Sequence, residues 1–518
     1  MESTKTTAFG TRDVASPEDE KDGTLVDQDD MRRMGKKQQF KRNMRPLAAW
    51  SFALVLQATW EYLITSDNTG LQDGGLAGLF WSYIFTFVGF SFIIASLAEM
   101  ASMAPTDGGQ YHWVSEFCPR RYQKFASYVT GWISVLAWQA GTASGPYLVG
   151  TIIEGLISVR NPDFAAPGWV GTLLIFLVVL VTYVVNMYGS KLMPILSNFL
   201  IVLHVLPWAA ILIVLWAIAP HQSAKTAFMD FENFGGLPGM GVSVLVGQIS
   251  AIYGCLSSDA CAHMSEQIKD AGHNVPKAMF WGYIMNGIMA LVLLIANNFA
   301  TPSVEDSLND VTGFPFLYVF KQFTSTSGVN ALTSIILLPM IFSNILFNAA
   351  TSRQTFAFAR DKGLPFHRWI SKYDEERNIP GNAIALSCII TCLLSLINIG
   401  STTAFNAIIS LNTAALMFTY TISISCVIYR KIWLPETLPR RHWDLGRWGL
   451  VVNIVGVCYC SFALFWSFWP TEMPVLADNF NWSIVIFGAI FILSLVMYAV
   501  KGMNEYEPPV ESVDTNVS

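Results

Sequence analysis

Residues 47–69 read LAAWSFALVLQATWEYLITSDNT, from Leu47 to Thr69. The hydrocarbon core of a bilayer is about 30 Å thick, and a helix of about 20 apolar residues crosses it. This stretch is long enough, and an acid, Glu61, interrupts its apolar part. Working outward, charge-free stretches of similar length recur at Gly74–Ala98, Phe125–Ile153, Leu192–Ala219, Asn233–Ser258, Ala278–Val304, Gln322–Ser352, Trp448–Thr471 and Asn479–Val500. Trp169–Val185 is shorter but strongly apolar, and Asn378–Tyr429 holds no Asp, Glu, Lys or Arg at all. That last run accommodates two helices with a turn near Gly400-Ser401. The pattern predicts an all-α integral membrane protein with 12 transmembrane helices.

Composition agrees. The 518 residues are 53% hydrophobic and 13% charged, about half the charge of an average soluble protein. An ordinary soluble enzyme is excluded, and a net charge of −6 gives no sign of nucleic-acid binding. Orientation follows from the basic residues, which concentrate on the cytosolic side of membrane proteins. Arg32, Arg33, Lys36, Lys37, Lys41, Arg42 and Arg45 precede the first span without an acid among them. With that flank inside, threading 12 spans leaves only Arg160, Lys225 and Lys321 outside among the Lys and Arg beyond Arg45. Both termini are therefore expected in the cytosol.

The eight cysteines fall in spans or on the inner side, so no exofacial disulfide framework is expected. Residues 1–45 are expected to be a disordered cytosolic tail, with Ser16-Pro17 beside acids either a phosphorylation or turnover site or plain solvated chain. Its basic stretch, Arg32–Arg45, is expected to rest on anionic lipid. No cleavable signal peptide is expected, so the first span serves as the insertion signal. Asn481-Trp-Ser fits a glycosylation sequon but abuts a span, which disfavours its use. No Walker loop, metal-ligand spacing or nucleophile elbow is present, so neither an enzyme nor a cofactor is expected.

Glu61 is the most informative residue. An intramembrane carboxylate costs about 2.5–3.5 kcal/mol on insertion scales and ordinarily faces a pathway or a partner. Between Trp60 and Tyr62 it suits an ammonium group, through charge pairing and cation–π attraction. It equally suits a proton site, and the plain alternative is a structural carboxyl bonded to another helix. Asp259 and His263, four apart on one helix face, read either as a proton relay and inner gate or as a hydrogen-bonded helix end. Glu99 reads as structural, His204 as a satisfied core histidine, and Asn344, Asn348 and Asn412 as helix–helix contacts. Breakers at depth suit a transporter, whose unwound backbone lines a cavity. They include Gly141-Thr-Ala-Ser-Gly145-Pro146, Pro207, Gly254-Cys-Leu-Ser257-Ser258 and Pro339.

Residues 97–113, LAEMASMAPTDGGQYHW, resemble the signature after the second helix of fungal amino acid/choline permeases of the amino acid–polyamine–organocation superfamily. Ser127–Trp132, Asp259–Glu266 with Val275–Met279, and Ala359–Pro365 are similar in the same way. Arg33–Lys36 and Thr59–Glu61 resemble a choline/γ-aminobutyrate permease-like branch.

The resemblance implies the leucine-transporter-type fold, a 5+5 inverted repeat plus two helices. It divides the chain into residues 46–220 and 237–430 (the repeats), 447–501 (the last two helices) and a cytosolic tail at 502–518. Offsetting the repeats by 193 residues carries Glu61 onto Gly254. This implies a substrate site near Trp60, Glu61, Tyr253, Gly254, Ser257 and Ser258, with Trp138, Gln139 and Asn344 at similar depth. Glu61, Asp259 and His263 are the implied proton and gate residues.

Two departures bear on the solute. Gln57–Glu61 contains no glycine where carriers of the superfamily have a Gly-rich break, and Glu61 repels a carboxylate, which favours a cationic or weakly anionic solute. Gln267 replaces the second acid of the usual Ser-Glu-Glu. The expected function is proton-coupled import of a small amine-bearing solute at the plasma membrane. A non-transporting nutrient receptor and an exporter of a small amine metabolite are the competing readings.

Overall fold

A computed structural model describes residues 23–164, 167–189, 193–399, 404–477 and 479–509. The described chain is helical, with isolated bridges at Met44–Ile268 and Asp374–Ile379 as its only β pairing. Among the described residues ten helices are long and apolar enough to cross a membrane, including Gly75–Met103, Ala271–Ala300 and Thr326–Arg360. The other two expected spans fall on helix Arg120–Arg160 and on the shorter apolar helix Met240–Cys255. At 1.5 Å per residue, Arg120–Arg160 is about 60 Å long, well beyond the bilayer. The expected turn at Gly400-Ser401 lies outside the described residues.

The first and sixth spans are both interrupted. Helix Pro46–Gln57 starts with proline at its first turn, where the missing N–H costs nothing. It stops at Ala58, which is left-handed (φ 44°, ψ 46°), and Thr59–Thr65 resumes the helix. A left-handed alanine costs about 1–2 kcal/mol, so the surrounding packing has to hold it there. Helix Ile249–Cys255 ends where Leu256 turns extended and Ser257 takes φ +62°. A short 3-10 segment, Ala262–Gln267, follows.

The first span is buried along its length, with Phe52, Leu54, Leu56, Trp60 and Leu63 almost free of solvent contact. Helices Met193–Ile218, Ala271–Ala300 and Thr326–Arg360 pack against the first span, and Gly75–Met103 and Ala404–Trp433 against the sixth. Gly168–Tyr188 and Ser483–Met497 lie at the rim and present Leu173, Leu177, Leu180, Ile484 and Ile492 outward. A soluble protein would bury such a surface, but against lipid tails it carries no penalty.

The reading of residues 1–45 as a disordered tail is corrected for its second half. Residues 25–33 form a helix with a capping box between Thr24 and Asp27. Phe40, Arg42 and Met44 beyond it are buried. Apolar and basic side chains that the tail's composition left without partners find them on the loops of the folded body. Ser16-Pro17 and residues 510–518 lie outside the described residues. All eight cysteines are free. The Asn481 amide donates to the carbonyls of Ser467 and Trp469, so this nitrogen is engaged within the fold.

At one end of the bundle two connections fold over Asp73. Met473 N–H donates to Gly235 O, Phe234 N–H to Gln72 O, and the Gln72 amide reaches Glu472 at 3.1 Å. Asp73 is buried beneath them, and burial, with the Glu472 charge next to it, pushes its carboxyl up to about 8. The folded state thus binds a proton that the unfolded chain releases near pH 4. Stability therefore falls as pH rises from about 4 to 8 and levels off above that. Thermal unfolding in detergent is expected to follow that slope, and Asp73→Asn to flatten it; an unchanged slope in the variant would assign it to other groups.

Candidate functional site

The interrupted spans meet in the middle of the bundle. A Cβ on Gly254 would sit 3.4 Å from Thr59 O and 3.5 Å from Leu63 Cβ. The sixth span thus passes the first on either side of Glu61, which is where the repeat offset carried it. Trp60, Glu61, Trp138, Gln139, Tyr253, Gly254, Ser257, Ser258 and Asn344 are all buried. They do not form one cluster but three.

The first cluster holds Glu61. Its Oε1 lies 2.7 Å from His204 Nδ1, on helix Met193–Ile218. His204 Nε2 is 3.0 Å from Asn286 Oδ1 on helix Ala271–Ala300. The Asn286 amide in turn donates to Leu54 O, which also accepts the Ala58 N–H at the break. Trp60 lies against the imidazole, with ring centroids 6.0 Å apart. Among the described residues Glu61 Oε2 has no hydrogen-bond partner. His204, read from the sequence as a satisfied core histidine, has Glu61 and Asn286 as its partners. Asn286 was missed; a lone polar side chain in an apolar span was the available signal.

The second cluster is neutral. Tyr62 OH lies 3.1 Å from Asn344 Oδ1 and 3.2 Å from Ser343 Oγ. Tyr253 OH donates to Ser144 Oγ at 2.9 Å. The Tyr62 and Tyr253 rings meet edge to face at 5.6 Å, and Phe405 closes the far side of Tyr253 at 6.0 Å. Ser144 and Gly145 belong to the small-residue stretch Gly141–Pro146. A Cβ on Gly145 would stand 1.8 Å from Asn344 Oδ1 and 2.9 Å from Tyr62 OH. Only glycine lets the third helix come this close. Tyr62 and Ser144, not among the residues expected from the sequence, complete this cluster.

The third cluster lies toward the basic face. Asp259 accepts from Tyr420 OH at 2.6 Å and from the Gln110 amide at 2.5 Å. His263 Nε2 is 3.7 Å from Asp259 Oδ2, and its Nδ1 meets Asp107 O at 2.8 Å. Trp138 stands edge-on to the His263 ring, at 4.6 Å. The sequence-based premise of one α-helix face is corrected here. The backbone is unwound at Asp259 and 3-10 from Ala262, yet the two side chains still meet. Gln139 faces elsewhere, donating to Thr355 and Ser387. Glu99 is structural, held by Lys431 and by Arg441 at 3.1 Å. No group of three or more His, Cys, Asp or Glu among the described residues could hold a metal ion.

The arrangement can hold one proton between Glu61 and His204, beside a neutral aromatic and hydroxyl-lined region. Comparison with known proteins bears on what it serves. The amino acid permease family profile matches residues 48–490. A putative amino acid/polyamine transporter of Macrophomina phaseolina is 28% identical over 444 residues, 84% of this chain and 96% of that one. The choline transporter of Saccharomyces cerevisiae is 27% identical over 90% of this chain and 83% of its own. Amino-acid permease BAT1 of Arabidopsis thaliana is 25% identical over 93% and 96%. Among solved structures, the Eremococcus coleocola manganese transporter, crystallised with an aromatic bis-isothiourea compound, superposes with a TM-score of 0.51. That match covers 90% of this chain and 95% of the other at 12% identity. It shows a shared fold, the leucine-transporter-type arrangement.

Proposed function

The chain belongs to the amino acid permease family, and on that premise we propose that it imports a small amine-bearing solute, such as an amino acid, γ-aminobutyrate or choline. Import proceeds by alternating access and is coupled to protons. Residues 46–220 and 237–430 are the two halves that move against each other around the interrupted spans, and 447–501 is peripheral. The basic face is cytosolic, with both termini on it, and the membrane is the plasma membrane.

The observation that carries this reading is the Glu61–His204 pair at the break of the first span, with one carboxylate oxygen unpartnered. With one proton the pair has no net charge and can be buried. Without it a bare carboxylate is left in a medium of low dielectric, and that is strongly unfavourable. Closure of the site around solute therefore requires the proton. Tyr62, Tyr253, Ser144 and Asn344, with the open backbone at Ser257 and Ser258, take the solute. Trp60 and the Glu61 oxygen supply the cation-attracting edge. Trp138, Asp259 and His263 form the inner gate, and Gln139 braces the third helix behind it.

Purified protein in liposomes, loaded with a pH dye, tests this with labelled choline, γ-aminobutyrate and neutral and basic amino acids. One of these is expected to accumulate, with lumen acidification in fixed ratio to it. Accumulation indifferent to an imposed proton gradient would remove the coupling, and no accumulation of any of them would remove the solute class.

A further inference from the structure

Residues 23–45 tie together three connections on the basic face. Arg33 pairs with Glu116, after the second span. Arg42 donates to Ser265 O and Ile268 O, in the unwound segment after the sixth. Met44 pairs with the same segment, through Met44 N–H to Gln267 O and Lys269 N–H to Met44 O. Lys36 pairs with Asp361, at the end of helix Thr326–Arg360. Phe40 is buried against Phe356 and Tyr373. In an alternating-access protein these connections separate when that face opens, so the strap has to let go.

Its node is Asp27, buried against the start of helix Ala271–Ala300. The carboxylate accepts Asp270 N–H and Ala271 N–H at 2.9 Å each and lies 3.3 Å from Arg42. It also accepts the N–H and the hydroxyl of Thr24, both at 3.0 Å, while Asp27 N–H returns a bond to the Thr24 hydroxyl. Thr24 itself is exposed. Asp27, Asp29 and Asp30 follow it at three, five and six positions, an acidic context suited to an acidophilic protein kinase.

We propose that Thr24 is a phosphorylation site and that its modification releases the strap. The terminal phosphoryl group of a nucleoside triphosphate is transferred to Thr24 Oγ1. A P–O bond forms there, the bond to the diphosphate leaving group breaks, and the hydroxyl proton passes to the kinase base. The product loses the O–H donor and places close to two negative charges against a buried carboxylate. A phosphate at a helix N-terminus is ordinarily favoured by the helix dipole. Here Asp27 already occupies that place, and it cannot withdraw without breaking its ion pair with Arg42 and freeing the two N–H groups of 270 and 271. That the modifying enzyme meets this face rests on the cytosolic orientation proposed above.

The test uses the full-length protein in detergent, where orientation plays no part. It is treated with an acidic-site casein kinase and labelled ATP, then with trypsin. Label is expected on the tryptic peptide 22–32, in which Thr24 is the one hydroxyl residue, and absent from that peptide in Thr24→Ala. Cleavage at Arg32, Arg33 or Lys36 is expected to be at least tenfold faster in the phosphorylated protein, with Thr24→Glu shifted the same way and Thr24→Val, which loses the cap but gains no charge, shifted less than either. No label on Thr24, or phosphorylated Thr24 with unchanged cleavage, would overturn the proposal. Cleavage of the strap by trypsin added outside intact cells would instead overturn the orientation, leaving the detergent result to stand separately.

Discussion

Glu61→Gln is expected to lower concentrative uptake about 100-fold, equivalent to about 2.7 kcal/mol, while the protein still folds. Glutamine keeps the shape and can still reach His204 Nδ1, now 2.7 Å from the carboxylate. It cannot carry the charge that makes a proton on the pair obligatory. Two measurements separate the roles of the carboxylate. If it only holds the proton, exchange of labelled for unlabelled solute without a gradient survives in the variant, while accumulation and lumen acidification are lost. If it also holds the ammonium group, solute affinity falls as well. Wild-type accumulation in Glu61→Gln would make the carboxyl structural. His204→Ala is expected to leave Glu61 without its ionic partner, and so to lower yield as well as uptake.

Gly145→Ala is expected to raise the half-saturating solute concentration at least tenfold. A methyl group there would stand 1.8 Å from Asn344 Oδ1, where no atom can be placed. Asn344 is the end of a side chain and can rotate away, so the fold survives. Moving it breaks the Tyr62–Asn344 bond and pushes on Tyr62 OH, only 2.9 Å from the new carbon. Gly488→Ala, at a rim position with nothing within 4 Å, is the matching control and should behave as wild type. Equal affinity in both variants would show that the second cluster does not face the solute.

Much of the fold was legible in the chain. Spans are written in apolar length, because lipid offers no partner for charge or for open backbone. The break of the sixth span was visible in Gly254–Ser258. That of the first was not, because it turns on an alanine, which does not ordinarily take left-handed backbone. The docked half of the N-terminal tail was illegible for a related reason. Polar composition predicts disorder only when no folded surface supplies partners, and Asp27 and Arg42 find theirs more than 200 residues away in the chain.

The site shows the same division. The sequence by itself determined that the chain spans a membrane, that it resembles permeases, and that Glu61 is a buried charge in need of a partner. Only the tertiary structure decided that the partner is His204, that Tyr62, Tyr253, Ser144 and Asn344 come together as a neutral cluster, and that Gln139 stands apart. The reason is physical. Hydrophobicity and helix spacing are summed locally along the chain, so they can be read there. A carboxylate on one span and an imidazole more than 140 residues later become neighbours only through the packing of helices, which no local sum encodes.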